Sequence, residues 1–169
     1  MVLRKLEIQD SKIMYEWMHD KSVVKDLQSD FEKCTLKDCE DFIIKSRKDE
    51  KNLHYAIVDN DNVYCGTVSL KNICLESKVA EFAIVLHRHA MGTGIAIRAM
   101  QEILQVAKDK LNLELIYWCV SRKNERAVRF YDKNRFERVN IFDYFNRIDG
   151  YTKEQMNNYL WYLIKNNRM

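Results

Sequence analysis

The loop from His89 to Gly94, which reads His-Ala-Met-Gly-Thr-Gly, is the sharpest feature of the sequence that could carry chemistry. It lies between a run of strand-forming residues and an amphipathic helix. Backbone N–H groups at the start of such a helix, helped by the helix dipole, form a cradle for phosphate. The residues that would supply this cradle are Met91, Gly92, Thr93, Gly94, Ile95 and Ala96. A turn that needs glycine only for its flexibility is the alternative.

A second group of candidate residues lies in residues 124–136, which read Asn-Glu-Arg-Ala-Val-Arg-Phe-Tyr-Asp-Lys-Asn-Arg-Phe. Asn124 has the side chain of a good helix cap, and Tyr131 follows on the apolar side of the helix that it would begin. The hydroxyl of Tyr131 could transfer a proton. A core aromatic residue is the alternative for Tyr131, and a cap with no further role is the alternative for Asn124.

Glu81 is the third candidate, because it is a carboxylate inside the otherwise apolar run 79–86. Strand alternation places it on the same face as Val79, Ala83 and Val85. A carboxylate in that position that faces a cleft could accept a proton. The alternative is a place on an exposed face of the sheet.

The elements that must position these residues follow from apolar spacing and turn signals, which predict an α/β (α+β) chain around one mixed sheet. Strands are expected at 2–8, 53–58, 63–70, 79–87, 113–120, 138–142 and 159–165. Helices are expected from Asp10 or Ser11 through Trp17, and at 35–46, 95–107 and 124–134. Because no linker or repeat interrupts the sequence, we expect residues 1–169 to form a single domain.

The composition argues against several classes of protein. The 169 residues include 28 Lys and Arg against 25 Asp and Glu, and the two signs are interleaved, whereas a nucleic-acid binder normally carries a basic face. Five cysteines at irregular spacings predict neither a disulfide framework nor a zinc site. No apolar run approaches the roughly 18 residues of a membrane span. We therefore expect a cytoplasmic protein with reduced thiols and no nucleic-acid, membrane or metal partner.

Together, the loop, the helix that follows it and the second motif resemble the acetyl-CoA-binding core of the GNAT family of N-acetyltransferases. The family pattern Gln/Arg-x-x-Gly-x-Gly/Ala fits Gly92 and Gly94, with His89 in the first position. The family pattern Asn-x-x-Ala-x-x-Phe-Tyr-Glu-Lys-x-Gly-Phe is matched at Asn124, Ala127, Phe130, Tyr131, Lys133 and Phe136. Asp132 replaces the glutamate and Arg135 replaces the glycine, so we expect Asn134 to supply the left-handed turn.

The resemblance looks closest to the branch that contains ribosomal-protein alanine acetyltransferases and small-molecule amine acetyltransferases. In that branch a glutamate often stands eleven residues before the first loop glycine, as Glu81 does before Gly92. The implied fold is a mixed, mostly antiparallel sheet that is splayed at the fourth strand and flanked by helices.

The resemblance also implies how acetyl-CoA, the acetyl donor, is held. Val85, Leu86 and His87, at the end of the fourth strand, would hydrogen-bond the pantetheine like an added strand, and the loop amides would hold the pyrophosphate. The N–H near Leu86 would polarise the thioester carbonyl. Asn124 would bind the cofactor or stabilise the loop before Tyr131.

The implied reaction is direct attack by a neutral primary amine in a ternary complex. Glu81 would accept the amine proton directly or through water, and Tyr131 would donate a proton to the departing thiolate of CoA. Cys119 offers a ping-pong nucleophile as an alternative, although no histidine stands beside it in the sequence.

The acceptor implied by the family is a small metabolite such as an amino sugar or a polyamine, or a protein N-terminus. The aromatic residues Tyr144, Phe145 and Tyr151 would help to line its cleft. The chain would act as a monomer or homodimer. A catalytically inactive sensor or scaffold that binds acyl-CoA is the alternative function.

Overall fold

The protein is built around one sheet, seen here in a computed structural model that describes residues 1–27, 29–148 and 150–166. The strands are β1 (Leu3–Lys5), β2 (Leu53–Val58), β3 (Tyr64–Cys74), β4 (Val79–Leu86), β5 (Leu115–Ser121), β6 (Glu137–Val139) and β7 (Tyr159–Lys165). The helices are α1 (Ser11–Met18), α2 (Lys21–Val24), α3 (Leu36–Ser46), α4 (Ile95–Asp109), α5 (Glu125–Lys133) and α6 (Lys153–Asn158). Short 3-10 helices cover Ile8–Asp10, Arg88–Ala90 and Ile141–Arg147.

The sheet has seven strands in the order β1-β2-β3-β4-β5-β7-β6. Every neighbouring pair is antiparallel except β4 and β5, which run parallel. Their pairing stops at Glu81 and Tyr117, although both strands continue for several residues. The sheet therefore opens beyond this point, which confirms the prediction of a mostly antiparallel sheet splayed at the fourth strand.

Helices cover both faces of the sheet because each contributes one apolar stripe. Helices α4 and α5 pack on one face, where Ala99, Ile103 and Ala107 of α4 are fully buried against the strands. Helices α1 and α3 pack on the other face through residues such as Trp17 and Ile43. In the described part of the chain, no helix is long and apolar enough to cross a membrane.

The starts of α1 and α3 differ in their local side-chain chemistry. Thr35 caps α3 by a reciprocal capping box, in which its hydroxyl accepts from the N–H of Asp38 (3.2 Å) and the Asp38 carboxylate accepts from the N–H of Thr35 (2.8 Å). Asp10 is the N-cap residue of α1, but its side chain makes no cap hydrogen bond; the almost fully buried carboxylate pairs with Arg4 at 2.7 Å between Oδ2 and Nη1. The capping box therefore explains the start of α3, and α1 begins at the predicted residue without a side-chain cap.

Differences from the predicted elements occur mainly at ends and in short segments. Strand β1 has three residues rather than the expected seven, and β3 continues to Cys74. The expected strand 138–142 is reduced to β6 and gives way to the 3-10 helix at Ile141–Arg147. Helices α2 and α6 were not predicted, because four and six residues are too few to show a helical period.

The left-handed turn after α5 lies at Arg135, with φ of +60°, so its prediction at Asn134 is wrong. Asn134 keeps a φ of −87°, and its side-chain Nδ2 donates to the carbonyl of Phe130 at 2.7 Å. The N–H of Phe136 closes the turn on the carbonyl of Tyr131 at 3.1 Å. Arginine therefore adopts the strained conformation that glycine adopts at little cost.

Candidate active site

The gap between the separated ends of β4 and β5 forms one open cleft of about 760 Å³. Glu81, Cys119, Asn124 and Tyr131 all line it. A second cavity adjoins it and shares the walls formed by Val85, Asn124 and Tyr131. The second cavity leads to the glycine loop, where it is lined by Met91, Gly92 and Ala96. The fold thus brings the three groups of predicted site residues onto one continuous cleft.

The free edge of β4 presents backbone groups to this cleft at alternate residues. The N–H of His87 donates to a carbonyl of β3 at 2.8 Å, so His87 and Val85 direct their backbone groups toward β3. At the start of the strand, the carbonyl of Lys78 accepts from β5, so the even-numbered residues face the other way. Leu86 and Ile84 therefore turn their N–H and C=O groups toward the gap.

This alternation refines the predicted set of Val85, Leu86 and His87. Of the three, only Leu86 has its backbone N–H and C=O groups on the open edge of β4. Ile84, which was not predicted, has its backbone groups on the same edge. Val85 contributes its side chain to the wall of both cavities. The missing information was the register of β4 against β3, which a single sequence does not reveal.

The glycine loop has the conformation that an anion cradle needs. Gly92 and Gly94 have φ values of +79° and +81°, and a Cβ built on either residue would meet no atom within 4 Å. Gly94 is the N-cap of α4, so the N–H groups of Ile95 and Ala96 have no acceptor one turn earlier in the helix. The open space above these amides fits a phosphate group.

Two groups of the loop are already engaged in local hydrogen bonds. The N–H of Met91 donates to the carbonyl of Arg88 at 3.2 Å, so Met91 is not free to contribute its amide to the cradle. The Thr93 hydroxyl donates to the carbonyl of Ala90 at 2.8 Å and accepts a long hydrogen bond from the N–H of Ile95 at 3.4 Å. These bonds hold the loop in shape before any ligand binds.

Tyr131 projects from α5 into the wall that the two cavities share. Its side chain is 5% exposed, and its ring packs against Trp118 and Tyr162 with centroids 5.3 and 5.0 Å away. Burial raises the pKa of Tyr131 above its ordinary value, so the residue is a neutral phenol that can donate a proton. Asn124 caps the same helix, because its Oδ1 accepts from the N–H of Ala127 at 3.1 Å.

Glu81 lies where the pairing of β4 with β5 ends and is 5% exposed, so the alternative of an exposed sheet face is wrong. Two donors hold its carboxylate. Lys71 Nζ lies 2.9 Å from Oε1, and Asn72 Nδ2 donates to Oε2 at 3.1 Å. Lys71 stands directly opposite Glu81 in the register of β3 and β4. The carboxylate is therefore fixed at the closed end of the cleft.

Tyr151 approaches Glu81 from the segment between the 3-10 helix at Ile141–Arg147 and α6. Its hydroxyl accepts from the Cys119 thiol at 3.7 Å and is also a hydrogen-bonding neighbour of the Glu81 carboxylate. Burial, Cys119 and Glu81 raise the pKa of Tyr151. Cys119 thus has a phenol beside it, which is a poor base for activating a nucleophile.

Lys71 and Asn72 are not among the predicted site residues, and Tyr151 is predicted only to line the acceptor cleft. Lys71 and Asn72 reach Glu81 because β3 pairs beside β4, and Asn72 adopts a φ of +50° at an irregularity in that pairing. The pairing register was needed to find them. The side chain of Phe145 lies outside the described part of the chain. Tyr144 packs against the apolar cluster that contains Leu115 and Trp161.

His87 and His89 precede the cradle and lie against each other, with ring centroids 4.2 Å apart. His87 Nδ1 accepts from the N–H of His89 at 3.2 Å, and His87 Nε2 lies 3.7 Å from a carboxylate oxygen of Glu16. Burial, followed by the neighbouring His89, lowers the pKa of His87. His87 is therefore uncharged near neutral pH.

Comparison with known proteins identifies the family. Residues 1–137 match the family model described as an acetyltransferase (GNAT) domain. The chain therefore belongs to the GNAT family and is an N-acetyltransferase that uses acetyl-CoA as its acetyl donor, as the resemblance predicted. The positive φ of both loop glycines, the open space above them and the unpaired edge of β4 fit such a donor.

Among characterised relatives, spermidine N(1)-acetyltransferase of Escherichia coli K12 is 27% identical over 135 residues, which cover 79% of this chain and 71% of the relative. The solved structure of spermidine N-acetyltransferase from Vibrio cholerae in complex with CoA and spermine is 20% identical, with a TM-score of 0.77 over 98% of this chain and 95% of that one. A dodecameric structure of spermidine N-acetyltransferase from Vibrio cholerae is 19% identical and gives a TM-score of 0.69 over 98% and 93% of the two chains. These structures share the fold of the protein.

Proposed function

We propose that the protein transfers the acetyl group of acetyl-CoA to a primary amino group of a polyamine, by direct attack in a ternary complex. The single observation that carries this proposal is the position of Glu81 and Tyr131 on one cleft, which continues to the open edge of β4 and to the glycine loop. The relatives named for spermidine support a polyamine as the acceptor.

The donor end of the cleft needs no charged side chain to hold the pantetheine. The N–H and C=O groups of Ile84 and Leu86 would bind an amide-containing chain as an added strand binds. The N–H of Leu86 lies on the side from which it could polarise a thioester carbonyl. The amides of Ile95 and Ala96, at the positive end of α4, would hold the pyrophosphate.

The acceptor end of the cleft carries two carboxylates, Glu81 and Asp26, against one cation, Lys71, and this balance suits a cationic amine. Leu27 and Phe31 add an apolar wall that suits a methylene chain. The amine must lose its proton before it can attack, and Glu81 would accept it directly or through water. Lys71 and Asn72 would keep the carboxylate oriented during this transfer.

Tyr131 would supply the second proton transfer. Its buried phenol is neutral, and a thiolate that forms beside it can take up the phenolic proton. Asn124 would support this step indirectly, since it caps the helix that carries Tyr131 and lines both cavities.

We place residues 1–169 in one catalytic domain that acts as a monomer or homodimer in the cytoplasm. The sheet that runs through the described residues supports one domain. None of the five cysteines, which all lie in the described part of the chain, forms a disulfide, which fits a reducing compartment. Light scattering coupled to size-exclusion chromatography would measure the oligomeric state, and a dodecamer would contradict this part of the proposal.

Release of CoA thiol in the presence of acetyl-CoA tests the proposed acceptor. Spermidine, spermine and putrescine should be compared with an amino sugar and with peptides that begin with Ala or Ser. The proposal predicts the highest kcat/KM for a polyamine. Faster turnover of a peptide or sugar would overturn the acceptor, and acetyl-CoA binding without turnover of any amine would favour the inactive sensor.

A further inference from the structure

Three sulfur atoms meet in the apolar cluster between α1 and α3. Met18 ends α1, Cys34 lies in the segment before α3, and Cys39 lies in α3. The Sδ of Met18 is 3.4 Å from the Sγ of Cys34 and 3.6 Å from the Sγ of Cys39. The two thiols also interact with each other. Three separate segments thus deliver three soft donor atoms to one point.

We propose that Met18, Cys34 and Cys39 form a binding site for a soft monovalent metal ion, of which Cu(I) is the representative. Two thiolates and a thioether are a donor set that selects Cu(I), because the thioether is a poor ligand for harder ions. Nothing in the acetyl transfer uses these residues.

The two sulfur separations that involve Met18 come close to those around a planar three-coordinate ion. Metal–sulfur bonds of about 2.3 Å, as in zinc–thiolate sites, separate three trigonal ligands by about 4 Å. The observed contacts of 3.4 and 3.6 Å are shorter by about half an ångström. Rotation of the flexible Met18 side chain can supply most of that difference.

The three sulfurs lie close together in apolar surroundings. Cys39 is fully buried, and its Sγ and that of Cys34 both face the thioether of Met18. Binding of Cu(I) displaces the two thiol protons to the solvent, and the resulting thiolates compensate the charge of the ion.

Two of the three sulfur-bearing residues are partly open to the solvent. Met18 lines an open cavity that Asp30, Glu32, Lys21 and Lys25 also line, and Cys34 is only partly buried. The other three cysteines, Cys65, Cys74 and Cys119, belong to other apolar clusters. They therefore serve as internal controls for non-specific binding to thiols.

Anaerobic titration of the reduced protein with Cu(I), in competition with the chromogenic chelator bicinchoninate, tests the site. All five thiols should first be counted with a thiol reagent, so that oxidation does not mimic a loss of binding. The proposal predicts that each chain retains one Cu(I) ion when bicinchoninate is present at the same concentration as the protein. Failure to retain any copper against the chelator would overturn the proposal.

Two variants and one control assign the ligands. Removal of a group that only hydrogen-bonds a metal ligand lowers metal affinity about 10–100-fold. Cys34→Ser removes a ligand itself, so it should weaken Cu(I) binding at least tenfold. Met18→Leu should weaken it less, because two thiolates remain. Cys74→Ser should leave binding unchanged, because Cys74 belongs to a different apolar cluster. Equal losses in Cys34→Ser and Cys74→Ser would show adventitious thiol binding and refute the site.

Discussion

Replacement of Gly94 by alanine would separate the conformational role of this glycine from its role in binding the donor. Gly94 has a φ of +81°, and a Cβ at this position would meet no protein atom within 4 Å. The added methyl group therefore strains the backbone and points into the space where we place the pyrophosphate. The two effects can be separated by comparison with a second glycine, at which the same substitution strains the backbone but does not approach the donor.

Gly150 is that second glycine. It has a φ of +89°, a Cβ there would also meet nothing within 4 Å, and it lies in the segment before α6, whereas Gly94 is the N-cap of α4. Alanine in the left-handed region costs about 1–2 kcal/mol. The loss of flexibility in the unfolded chain offsets about 0.4–1 kcal/mol of that cost. Gly94→Ala and Gly150→Ala should thus each lower the free energy of unfolding by about 1 kcal/mol.

Binding of acetyl-CoA should distinguish the two variants. A hydrogen bond to a charged group contributes about 1.5–3 kcal/mol. Displacement of the pyrophosphate from one amide by the new methyl group should therefore weaken binding about tenfold to a hundredfold in Gly94→Ala. Gly150→Ala should bind as the wild type does. Calorimetric titration with acetyl-CoA gives the affinities, and urea denaturation gives the stabilities.

Equal affinities in the two variants would refute the assignment of the cradle. They would mean that the loop glycines serve only the turn, which is the alternative that the sequence leaves open. If Gly94→Ala were less stable than Gly150→Ala, the affinities of both variants for acetyl-CoA would be measured at a lower temperature, at which both are folded.

Three further substitutions test the catalytic residues and the helix end. Tyr131→Phe should keep the fold and the affinity for acetyl-CoA but lower the single-turnover rate about 100-fold, and a wild-type rate would make Tyr131 a packing residue. Glu81→Gln should lower kcat about 100-fold, most strongly below the pKa of the amine, and a pH–rate profile of unchanged shape and height would remove Glu81 from the mechanism. Arg135→Gly should raise the free energy of unfolding by about 0.5–1 kcal/mol because it relieves a positive φ, whereas Asn134→Gly, at a negative φ, should lower it in the same urea titration.

The parts of the fold that the sequence predicts well are those governed by local chemistry. The capping box of Thr35 and Asp38, the apolar stripe of α4 and the two glycines before it each act within a few residues of the chain. Their positions could therefore be inferred without knowledge of the tertiary structure. The short helices α2 and α6 could not, since four and six residues show no apolar period, although the cap of Asp20 and the capping box of Thr152 and Gln155 are local signals at their starts.

The surroundings of Glu81 depend on non-local pairing and were beyond reach of the sequence. Lys71 and Asn72 come from the neighbouring strand, and Tyr151 comes from a segment 70 residues further along the chain. The choice between Leu86 and its neighbours Val85 and His87 likewise depends on which strand edge is free. A shift of the register by one residue would reverse that choice.

The meeting point of the two cavities bears on the order of the chemical steps. Tyr131 and Asn124 line both cavities, Met91 and the glycine loop line only the donor side, and Glu81 and Cys119 line only the acceptor side. A donor and an acceptor that occupied the two cavities would thus meet beside Tyr131, where a proton donor for the leaving thiolate is needed. Cys119 lines only the acceptor side, next to the Tyr151 phenol. An acetyl group bound to its sulfur would have to move away from the donor and from Tyr131 before the amine attacked it. The arrangement therefore favours direct attack by the amine over a ping-pong route.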